Sequence, residues 1–449
     1  MILEEEDTIR KSEEGTARTA ARVVNKMNVL VVGGGGREHA ILRKLSESPR
    51  APRLFAAPGN GGIAAIAECL PVKATDTEGI LEAAKRNAID LVFVAPDDPL
   101  MLGMVDLLEA NGIRAFGPRK NAAIIEGSKA FSKALMKEHG IPTAAYEIFE
   151  SAGAAITYLS QNRRYPIVIK ADGLALGKGV IIAQSYAEAC AAVHQLMEDK
   201  AFGAAGDKIV IEDYLEGPEV TVLAFCDGKT VRPMVSSQDH KRALDNDEGL
   251  NTGGMGTIAP SPYYSDKIAD LCMETIFQPT VDALRAEGRP FKGVLYFGLM
   301  LCSDGPYVIE YNARFGDPEA QVVLPLLKTD LLDIIDAVID ERLDEISIEW
   351  EDSAAACIVM ASGGYPQKYS TGFEITGLDA LGKEITVYHA GTKFADGKYL
   401  TAGGRVLGVC AKGAELSEAL EKAYRAIDTI DFCGRHFRKD IGQKALKGR

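Results

Sequence analysis

Short apolar runs alternate with helical patterns along the first third of the chain. Four runs are typical of buried strands: residues 28–32, 54–57, 90–95 and 114–116. Three segments with apolar residues at helical spacing follow them: residues 37–46, 77–87 and 99–111. This alternation predicts a parallel sheet with crossover helices. Because ligands of such sheets bind beyond the carboxyl ends of the strands, the loops 33–36, 58–62 and 96–99 are candidate site segments.

The pattern becomes mainly β after a helix predicted at residues 129–139. A smaller block, residues 146–216, has strands at 167–171, 179–183 and 208–213 and a helix at 186–199. A mostly β region follows over 219–317, with one helix at 266–287 and another at 330–341. The last unit has strands at 354–361, 385–389 and 405–411 and a helix at 415–429. The chain thus joins an α/β unit to later α+β units.

The first 26 residues differ in composition from the rest of the chain. They lack the apolar core of a secretory signal, and the acids at positions 4–7 contradict a transit peptide. We expect residues 1–26 to form a poorly ordered N-terminal extension ahead of Met27.

Composition narrows the class of protein. The formal charge of −14 argues against non-specific nucleic-acid binding. No run approaches the roughly 18 apolar residues that span a bilayer. The 8 cysteines are scattered singly, as in a reduced cytoplasmic protein. At 449 residues, the length fits about three domains.

The segment 307–319 carries the strongest chemical signal. It begins as an apolar strand, so period-two alternation places Glu310, Asn312 and Arg314 on one face. Carboxylate and amide oxygens suit a hard cation such as Mg²⁺ or Mn²⁺, and arginine grips phosphate through two donors. A solvated ion pair on a surface strand is the alternative. We favour a metal and phosphate site, because the polar triplet interrupts apolar sequence.

Two glycine-rich loops are candidate anion sites. Residues 33–36 follow a strand and open a helix, but Glu38 stands where a dinucleotide fingerprint requires glycine. A tight strand-to-helix turn explains this loop equally well. Residues 170–180 lie between two strands and lack the Ser or Thr of a Walker A motif. A flap with Lys170 and Lys178 at its ends fits nucleotide phosphates, and an exposed hairpin is the alternative.

Three further segments complete the candidate chemistry. Residues 209–219 join an apolar strand to an acidic connection, a weak signal for an adenine pocket. Residues 239–242 place three basic side chains beside Asp239, which suits an anionic substrate. Residues 251–256 offer backbone donors in a glycine loop, suited to an acyl phosphate or oxyanion. We expect His240 to be held by its neighbours rather than to transfer protons.

Taken in order, these segments resemble the ATP-grasp superfamily and, within it, the phosphoribosylamine–glycine ligase family. The most specific stretches are GGGGREHA (33–40), PGNG (58–61), GSKAF (127–131), DHKR (239–242), NTGGMG (251–256), RFGDPE (314–319), ASGGYP (361–366), GGRVLG (403–408) and RKDIG (438–442). The resemblance implies a Rossmann-like pre-ATP-grasp domain at 27–127, an ATP-grasp domain at 128–349 with a mobile lid at about 146–216, and a small β-rich C-terminal domain at 350–449. It covers the chain from about residue 28 to residue 446.

The resemblance also implies an activity, the ATP-dependent ligation of glycine to 5-phosphoribosylamine in purine biosynthesis. The implied ATP-binding residues are Lys129, Lys170, Lys178, Glu212, Leu215 and Glu219. The implied metal ligands are Glu310 and Asn312, and the implied catalytic residues are Arg314, Lys178 and Asp239. The implied substrate-binding residues are Gly35, Asn60, Gly61, His240, Lys241, Arg242, Asn251, Thr252, Gly253, Gly254 and Asp317. Glycine, phosphoribosylamine and ATP would be the partners of a cytoplasmic monomer or weak dimer, without nucleic acid or membrane.

Two departures from the family pattern and three rival hypotheses accompany this expectation. Asp97 stands where many members have glutamate, and residues 291–303 lack a second metal carboxylate. The first rival is another ATP-grasp carboxylate–amine ligase, or a relative that phosphorylates bicarbonate or formate. The others are a nicotinamide oxidoreductase and a non-catalytic nucleotide sensor. The dinucleotide fingerprint is incomplete, which disfavours the oxidoreductase. The chain has no Met-Lys-Met sequence, so it does not resemble a biotin carboxylase that carries its own biotinyl acceptor.

Overall fold

The structure is a computed structural model that describes residues 26–162, 164–174, 179–199 and 203–447. The expected N-terminal extension lies, apart from Lys26, outside the described residues, and so does Lys178. Among the described residues, no helix has the length and apolar character required to cross a membrane.

The first unit is a five-stranded parallel sheet, as the strand–helix alternation predicts. Its strands are β1 (Asn28–Gly33), β2 (Arg53–Pro58), β3 (Glu68–Cys69), β4 (Leu91–Val94) and β5 (Arg114–Phe116), in the order β3-β2-β1-β4-β5. Its helices are α1 (Gly36–Ser46), α2 (Thr77–Arg86), α3 (Asp97–Leu102), α4 (Met104–Ala110) and α5 (Lys120–Gly127). The helix predicted at 99–111 is two helices, because Gly103 adopts a left-handed conformation with φ 86°.

The lysine-bearing block forms its own antiparallel sheet after helix α6 (Lys129–Glu138). Its elements are β6 (Tyr146–Phe149), α7 (Ala152–Gln161), β7 (Ile167–Ala171), β8 (Val180–Ala183), α8 (Tyr186–Val193) and β9 (Ile209–Asp213). The strand order is β6-β9-β7-β8. The helix predicted at 186–199 continues from α8 as a π-helical turn over His194–Glu198.

The region after this block contributes eight strands. They are β10 (Glu219–Asp227), β11 (Val231–Pro233), β12 (Gln238–Asp239), β13 (Arg242–Leu244), β14 (Glu248–Asn251), β15 (Gly256–Ala259), β16 (Lys292–Cys302) and β17 (Gly305–Asn312). A central antiparallel sheet has the order β11-β10-β16-β17, and β13 pairs with β14 as a hairpin. The helices are α9 (Asp266–Cys272), α10 (Gln278–Ala286), α11 (Ala320–Val323) and α12 (Leu331–Ile339), with a π turn at Met273–Phe277 inside the helix predicted at 266–287.

The C-terminal unit shares a sheet with the preceding region. Its strands are β18 (Ala354–Ala361), β19 (Glu374–Ile375), β20 (Ile385–His389), β21 (Thr392–Ala395), β22 (Lys398–Thr401) and β23 (Arg405–Gly413), followed by α13 (Leu416–Thr429) and α14 (Gln443–Lys447). One five-stranded sheet has the order β12-β15-β18-β23-β20, and a small sheet has the order β19-β22-β21. The residues around Asp239 and Gly254 are therefore fixed against the C-terminal unit.

Phe315 fixes the end of β17 within the apolar core. The side chain is buried, and its ring centroid lies 6.3 Å from that of Phe93 in the parallel sheet and 6.1 Å from that of Phe225 in the central sheet. Aromatic side chains of this size contribute strongly to core packing. Arg314 and Asp317, on either side of Phe315, are consequently held where the two sheets meet.

Candidate active site

The polar face of β17 has the alternation that the sequence predicts. Tyr311 and Ala313 are buried in the core, while Glu310 and Asn312 are only partly covered. Gly298 of β16 stands directly opposite Glu310. A Cβ atom on Gly298 would lie 2.8 Å from Cγ of Glu310, so the glycine provides the room for this carboxylate.

Arg314 is held by acidic and amide groups from three segments. Its Nη2 atom lies 2.7 Å from Oε1 of Glu126, 3.2 Å from Oδ1 of Asn312 and 3.7 Å from Oδ2 of Asp97. Burial works against the charged form, but Glu126 and Asp97 raise the pKa of Arg314 above its usual value. The Nε atom of Arg314 is buried and makes no hydrogen bond to another described residue. The guanidinium is therefore charged and oriented, and its Nε–H has no partner among the described residues.

Lys241 joins two carboxylates across the central sheet. Its ammonium contacts Glu219 on β10 and lies 3.1 Å from Oε1 of Glu310 on β17. Burial raises the pKa of Glu310, but Lys241, Lys170 and Lys129 outweigh it and lower that pKa to about 2. Glu310 is ionised at neutral pH, as a metal ligand must be. Lys241, expected at the substrate, instead lies beside the proposed metal carboxylate.

The segment 239–242 does not form the expected basic cluster. Asp239 ends β12 and Arg242 begins β13, and the two residues between them point to different partners. Lys241 contacts Glu219 and Glu310, whereas His240 contacts Gly256 and Gly442. His240 Nδ1 lies 3.2 Å from the Gly256 carbonyl oxygen, and its Nε2 accepts a hydrogen bond of 3.1 Å from the Gly442 N–H. Burial lowers the pKa of His240 to about 4, so the ring is neutral and its nitrogens are used structurally.

Arg242 is also occupied away from any shared anion site. Its Nη1 atom donates to the Gly249 carbonyl oxygen at 2.8 Å, inside the β13–β14 hairpin. Arg242 pairs in that hairpin with Asn251. We therefore reassign the side chains of His240 and Arg242 from substrate contact to positioning of the loop.

The glycine loop 251–256 uses its backbone donors internally, contrary to the expected oxyanion role. The N–H groups of Thr252 and Met255 donate to the Lys241 and His240 carbonyl oxygens at 2.8 Å and 2.9 Å. The N–H of Gly253 donates to the hydroxyl of Tyr365 at 3.1 Å, and that of Gly254 to Oγ1 of Thr252 at 2.9 Å. These hydrogen bonds fix the conformation of the loop, and the one to Tyr365 attaches it to the C-terminal unit.

The loop leaves room for a pair of neighbouring carboxyl groups, Asp239 and Glu319. Gly254 leaves room for Asp239, because a Cβ atom there would lie 2.6 Å from Oδ1 of Asp239. Oδ1 is buried and has no hydrogen-bond partner among the described residues. Burial, and then the charge of Glu319, raise the pKa of Asp239 well above its usual value. The motif RFGDPE contains Glu319, but the sequence alone gave this residue no role.

The glycine loop of the first sheet is closed by its own carboxylate. The Gly35 N–H donates to Oε2 of Glu38 at 2.5 Å, and Arg37 Nε donates to Oε1 of the same residue at 2.7 Å. The Glu38 carboxylate, in the first turn of α1, therefore occupies the Gly35 N–H that was expected to bind a substrate anion. This geometry favours the interpretation as a strand-to-helix turn, and it removes the Gly35 N–H from the candidate substrate contacts.

Asn60 is likewise fully used by the protein. Its Nδ2 donates to the carbonyl oxygens of Gly34 at 2.9 Å and His389 at 2.8 Å. Its Oδ1 accepts from the N–H groups of Gly62 and Ile63, both at 2.9 Å. Four hydrogen bonds exhaust the capacity of this amide. We reassign Asn60 to positioning the loop between the first sheet and the C-terminal unit; Gly61 also donates its N–H internally, to Thr392.

Asp317 faces the glycine loop of the first sheet, since a Cβ atom on Gly35 would lie 3.4 Å from its Oδ2, and it is paired with an arginine that the sequence analysis did not identify. Arg405 Nη2 lies 3.3 Å from Oδ2 of Asp317, and Gln321 Nε2 donates to Oδ1 at 2.8 Å. Burial raises the pKa of Asp317, but Arg405 and Arg37 outweigh it, so that pKa falls below its usual value. Arg405 also donates to the Gly253 carbonyl oxygen at 2.6 Å. Arg405 lies in the motif 403–408, and this motif is the sequence signal that could have identified it.

Lysines from two elements converge near Glu310. Lys129 Nζ donates to the Gly173 carbonyl oxygen at 3.0 Å, and Lys170 Nζ donates to the Ile309 carbonyl oxygen at 2.9 Å. Glu212, expected to frame adenine, is buried, and its Oε1 lies 3.0 Å from Lys170 Nζ. Its side chain is therefore committed to the lysines, and only its backbone is left for an adenine. Leu215 is half-buried in the connection that follows β9.

The donor set at β17 fits a metal that is shared with a nucleotide. Among the described residues, no group of three or more His, Cys, Asp or Glu side chains is arranged to hold a metal ion. Glu310 and Asn312 supply an ionised carboxylate and an amide oxygen. Mg²⁺ is commonly bound through one or two such oxygens, with phosphate and water completing its shell. A parallel sheet, a central sheet with this oxygen-bearing face and a smaller lysine-bearing sheet together define an ATP-grasp protein.

Comparisons with known proteins identify the family within this class. The N, ATP-grasp (A) and C domains of phosphoribosylglycinamide synthetase match residues 27–126, 127–320 and 355–444. The phosphoribosylamine–glycine ligase of Caldanaerobacter subterraneus subsp. tengcongensis is 49% identical, over 92% of this chain and 99% of that protein. The chain belongs to the phosphoribosylglycinamide synthetase family.

Other comparisons agree with this assignment. The trifunctional purine biosynthetic protein adenosine-3 of Gallus gallus is 48% identical over 93% of this chain, which spans 42% of that longer protein. The crystal structure of phosphoribosylamine–glycine ligase from Thermotoga maritima has a TM-score of 0.82 at 32% identity, over 92% of this chain and 100% of that one. The biotin carboxylase of Campylobacter jejuni, with a TM-score of 0.70 at 15% identity over 93% of this chain and 94% of that one, shows the shared fold alone.

Proposed function

We propose that this protein ligates glycine to 5-phosphoribosylamine at the expense of ATP, in the synthesis of purines. The products are glycinamide ribonucleotide, ADP and phosphate, formed through glycyl phosphate. The observation that carries the proposal is the Glu310–Asn312–Arg314 face, with Lys129 and Lys170 beside it, in a chain of this family. The glycine loop of the first sheet disfavours the nicotinamide oxidoreductase, because the Glu38 carboxylate occupies the Gly35 N–H there.

The nucleotide end of the site is assigned to the lysine-bearing sheet and its neighbours. Lys129 of α6 and Lys170 of β7 contact the phosphates, together with Lys178, which follows Lys170 in the glycine-rich sequence 170–180. Adenine lies against the backbone of the Glu212–Leu215 connection, and Glu219 takes the ribose hydroxyls. Support comes from the convergence of Lys129 and Lys170 near Glu310, since lysine is a strong point-charge ligand for phosphate.

Glu310 and Asn312 are the residues that would hold the metal, Mg²⁺ or Mn²⁺. When bound, the ion screens charge on the phosphates and positions them. Arg314 stabilises negative charge on the transferring phosphoryl group; its buried Nε donor, which has no partner among the described residues, supports this role. No covalent enzyme intermediate is required, and catalysis consists of positioning and electrostatic stabilisation.

The acceptor end lies around Asp239, Asp317 and the loop 251–254. Asp239 has an unpartnered buried oxygen, which suits the ammonium group of glycine. Asp317 and Lys241 border the space on either side. Gly253 and Gly254 leave the room that Arg405 and Asp239 need beside the substrate, while Asn251, Thr252, His240, Arg242 and Asn60 hold the surrounding loops in place. Gly35 and Gly61 shape the sugar-phosphate side of the pocket.

The domain boundaries, the cellular location with the oligomeric state, and the classes of partner belong to the same proposal. The domain boundaries are residues 27–127, 128–349 and 350–449, with the lid at about 146–216. The enzyme acts in the cytoplasm as a monomer or weak dimer. It has no nucleic-acid or membrane partner, in keeping with the formal charge of −14.

The test is phosphate release from ATP with glycine and freshly prepared phosphoribosylamine, each omitted in turn. Full activity should require ATP, a divalent metal and both acceptor substrates. Dependence on a different carboxylic acid or a different amine would overturn the substrate assignment. The product should be isolated, because glycine-dependent ATP hydrolysis without amide formation would contradict ligase activity.

A further inference from the structure

Helix α6 carries a second lysine one turn after Lys129. The side chain of Lys133 is only 3% exposed, and its Nζ lies 2.8 Å from Oε2 of Glu212. It also donates to Oγ1 of Thr143 at 2.7 Å. No step of the proposed reaction uses Lys133, although a buried lysine is costly unless its charge is compensated.

Glu212 connects this lysine to Lys170. Its Oε1 lies 3.0 Å from Lys170 Nζ, and Lys170 donates to the Ile309 carbonyl oxygen at 2.9 Å. Thr143 in turn donates to the Val308 carbonyl oxygen at 2.7 Å. The network therefore reaches two consecutive carbonyl groups of β17 just before Glu310. Ile309 is the extra residue of a β-bulge, since Glu310 pairs with Gly298 while Val308 pairs with Leu299.

The charges of this network do not cancel. Two ammonium groups, Lys133 and Lys170, share the single carboxylate of Glu212. Lys129 adds a third positive charge. Burial has the largest effect on the pKa of Lys129 and lowers it, and the nearby charge of Lys170 lowers it further. Glu310 and Asp172 act on Lys129 in the opposite direction, so the shortage of negative charge is confined to Glu212, which faces two ammonium groups. A phosphate group supplied by a ligand would complete the pairing of Lys170.

We propose that Lys133 is a positioning residue for the nucleotide: by neutralising Glu212, it leaves the Lys170 ammonium free to bind phosphate. Without Lys133, the carboxylate would compensate Lys170 alone and compete with the phosphate for it. The inference rests on the proposed use of ATP, and it is independent of which acid and amine are joined.

A charge cycle tests the proposal on the full chain. The variants are Lys133→Met, Glu212→Gln and the double variant, and the readout is the Kd for ADP by titration calorimetry, without acceptor substrates. Lys133→Met should weaken ADP binding about tenfold, a coupling typical of contacting charged residues. The double variant should recover to within about threefold of the unaltered protein, because Glu212 no longer competes. Glu212→Gln alone should bind ADP at least as tightly as the unaltered protein.

The control is Lys137→Met, which changes an exposed lysine on the next turn of the same helix and should leave the Kd unchanged. If the double variant binds ADP as weakly as Lys133→Met, the role of Lys133 is structural and the proposal is overturned. If Lys133→Met fails to fold, Glu212→Gln still tests the proposal. A tenfold weakening of ADP binding by Glu212→Gln alone would overturn it. Normal ADP binding without ligase activity would contradict the proposed function only, whereas no ADP binding by the unaltered protein would overturn both.

Discussion

Lys241 Nζ lies 3.1 Å from Oε1 of Glu310, so the carboxylate proposed to hold a metal is already paired with a lysine. The same ammonium contacts Glu219, two strands away on the sheet. Lys241 keeps Glu310 ionised and occupies space that a cation would share. The metal and the lysine are therefore expected to compete for Glu310.

Replacing Lys241 by methionine should strengthen metal binding in the absence of nucleotide. The change keeps much of the side-chain volume and removes the positive charge near Glu310. We expect Mn²⁺ affinity to rise about fivefold, corresponding to about 1 kcal/mol for a partly buried charge pair. Mn²⁺ binding followed by electron paramagnetic resonance measures this directly, with Lys412→Met, at an exposed ion pair, as control. Unchanged or weaker Mn²⁺ binding would contradict the competition.

Replacing Glu310 by glutamine should remove most of the activity. The amide preserves shape but lacks the charge that a metal and phosphate site requires, so kcat should fall by about 10²–10³. Phosphate release measures the loss, and Mn²⁺ binding should weaken in parallel. Glu216→Gln, at an exposed carboxylate, is the control. Retention of glycine-dependent ATP hydrolysis by the Glu310 variant would refute the metal assignment.

Replacing Arg314 by lysine should lower turnover more than it lowers nucleotide affinity. A lysine keeps the charge but has one nitrogen, so it cannot contact Glu126 and Asn312, as Nη2 does, and also place a donor at the position of Nε. We expect kcat to fall about a hundredfold, with a change of less than about threefold in the KM for ATP. Steady-state kinetics over a range of ATP concentrations separate the two quantities. A rise in KM with normal kcat would instead indicate simple ground-state binding.

Replacing Asn60 by alanine should lower stability rather than act through substrate contact alone. The change leaves the Gly34 and His389 carbonyl oxygens and two N–H groups without their partner. The free energy of unfolding should fall by about 3 kcal/mol, and the thermal midpoint should fall with it. Asn121→Ala, at an exposed asparagine, should leave the midpoint nearly unchanged. An unaltered midpoint together with a raised KM for phosphoribosylamine would restore the substrate role.

Three histidines should make the protein sensitive to acid. Burial lowers the pKa of His39 to about 3, and the pKa values of His240 and His389 to about 4. Each pKa is depressed in the folded protein, so its contribution to stability is complete above the unfolded value of about 6.5 and is lost as the pH falls toward 4.

Thermal unfolding between pH 7 and pH 4 tests this expectation. The midpoint should fall steadily below pH 6.5. His240→Asn should reduce the slope of the free energy of unfolding against pH, by an amount equivalent to at most one bound proton. Asn121→Ala, at an exposed position without a titratable group, should leave the slope unchanged. A midpoint independent of pH over this range would show that these rings are not buried in their neutral form.

Local pattern alone predicted much of the fold and one wall of the site. Strand–helix alternation predicted the parallel sheet, and period-two alternation placed Glu310 and Asn312 on one face of β17. Both signals depend only on residues close in sequence, because backbone geometry fixes the two periods. The departure at Gly103 shows the limit, since its left-handed conformation divides one predicted helix into two.

What the sequence by itself determined about this protein is the family, the order of its units and the chemical nature of its polar strand. Only the tertiary structure decided where individual groups are used. Asp239 and His240 are adjacent in sequence, yet one faces Glu319 and the other faces Gly442 of the C-terminal unit. The sequence pattern assigned Lys133 and Arg405 no individual role, and packing placed Glu212 and Asp317 beside them. Hydrogen-bond partners far apart in sequence decide whether a donor remains free for a ligand, and no local pattern contains that information.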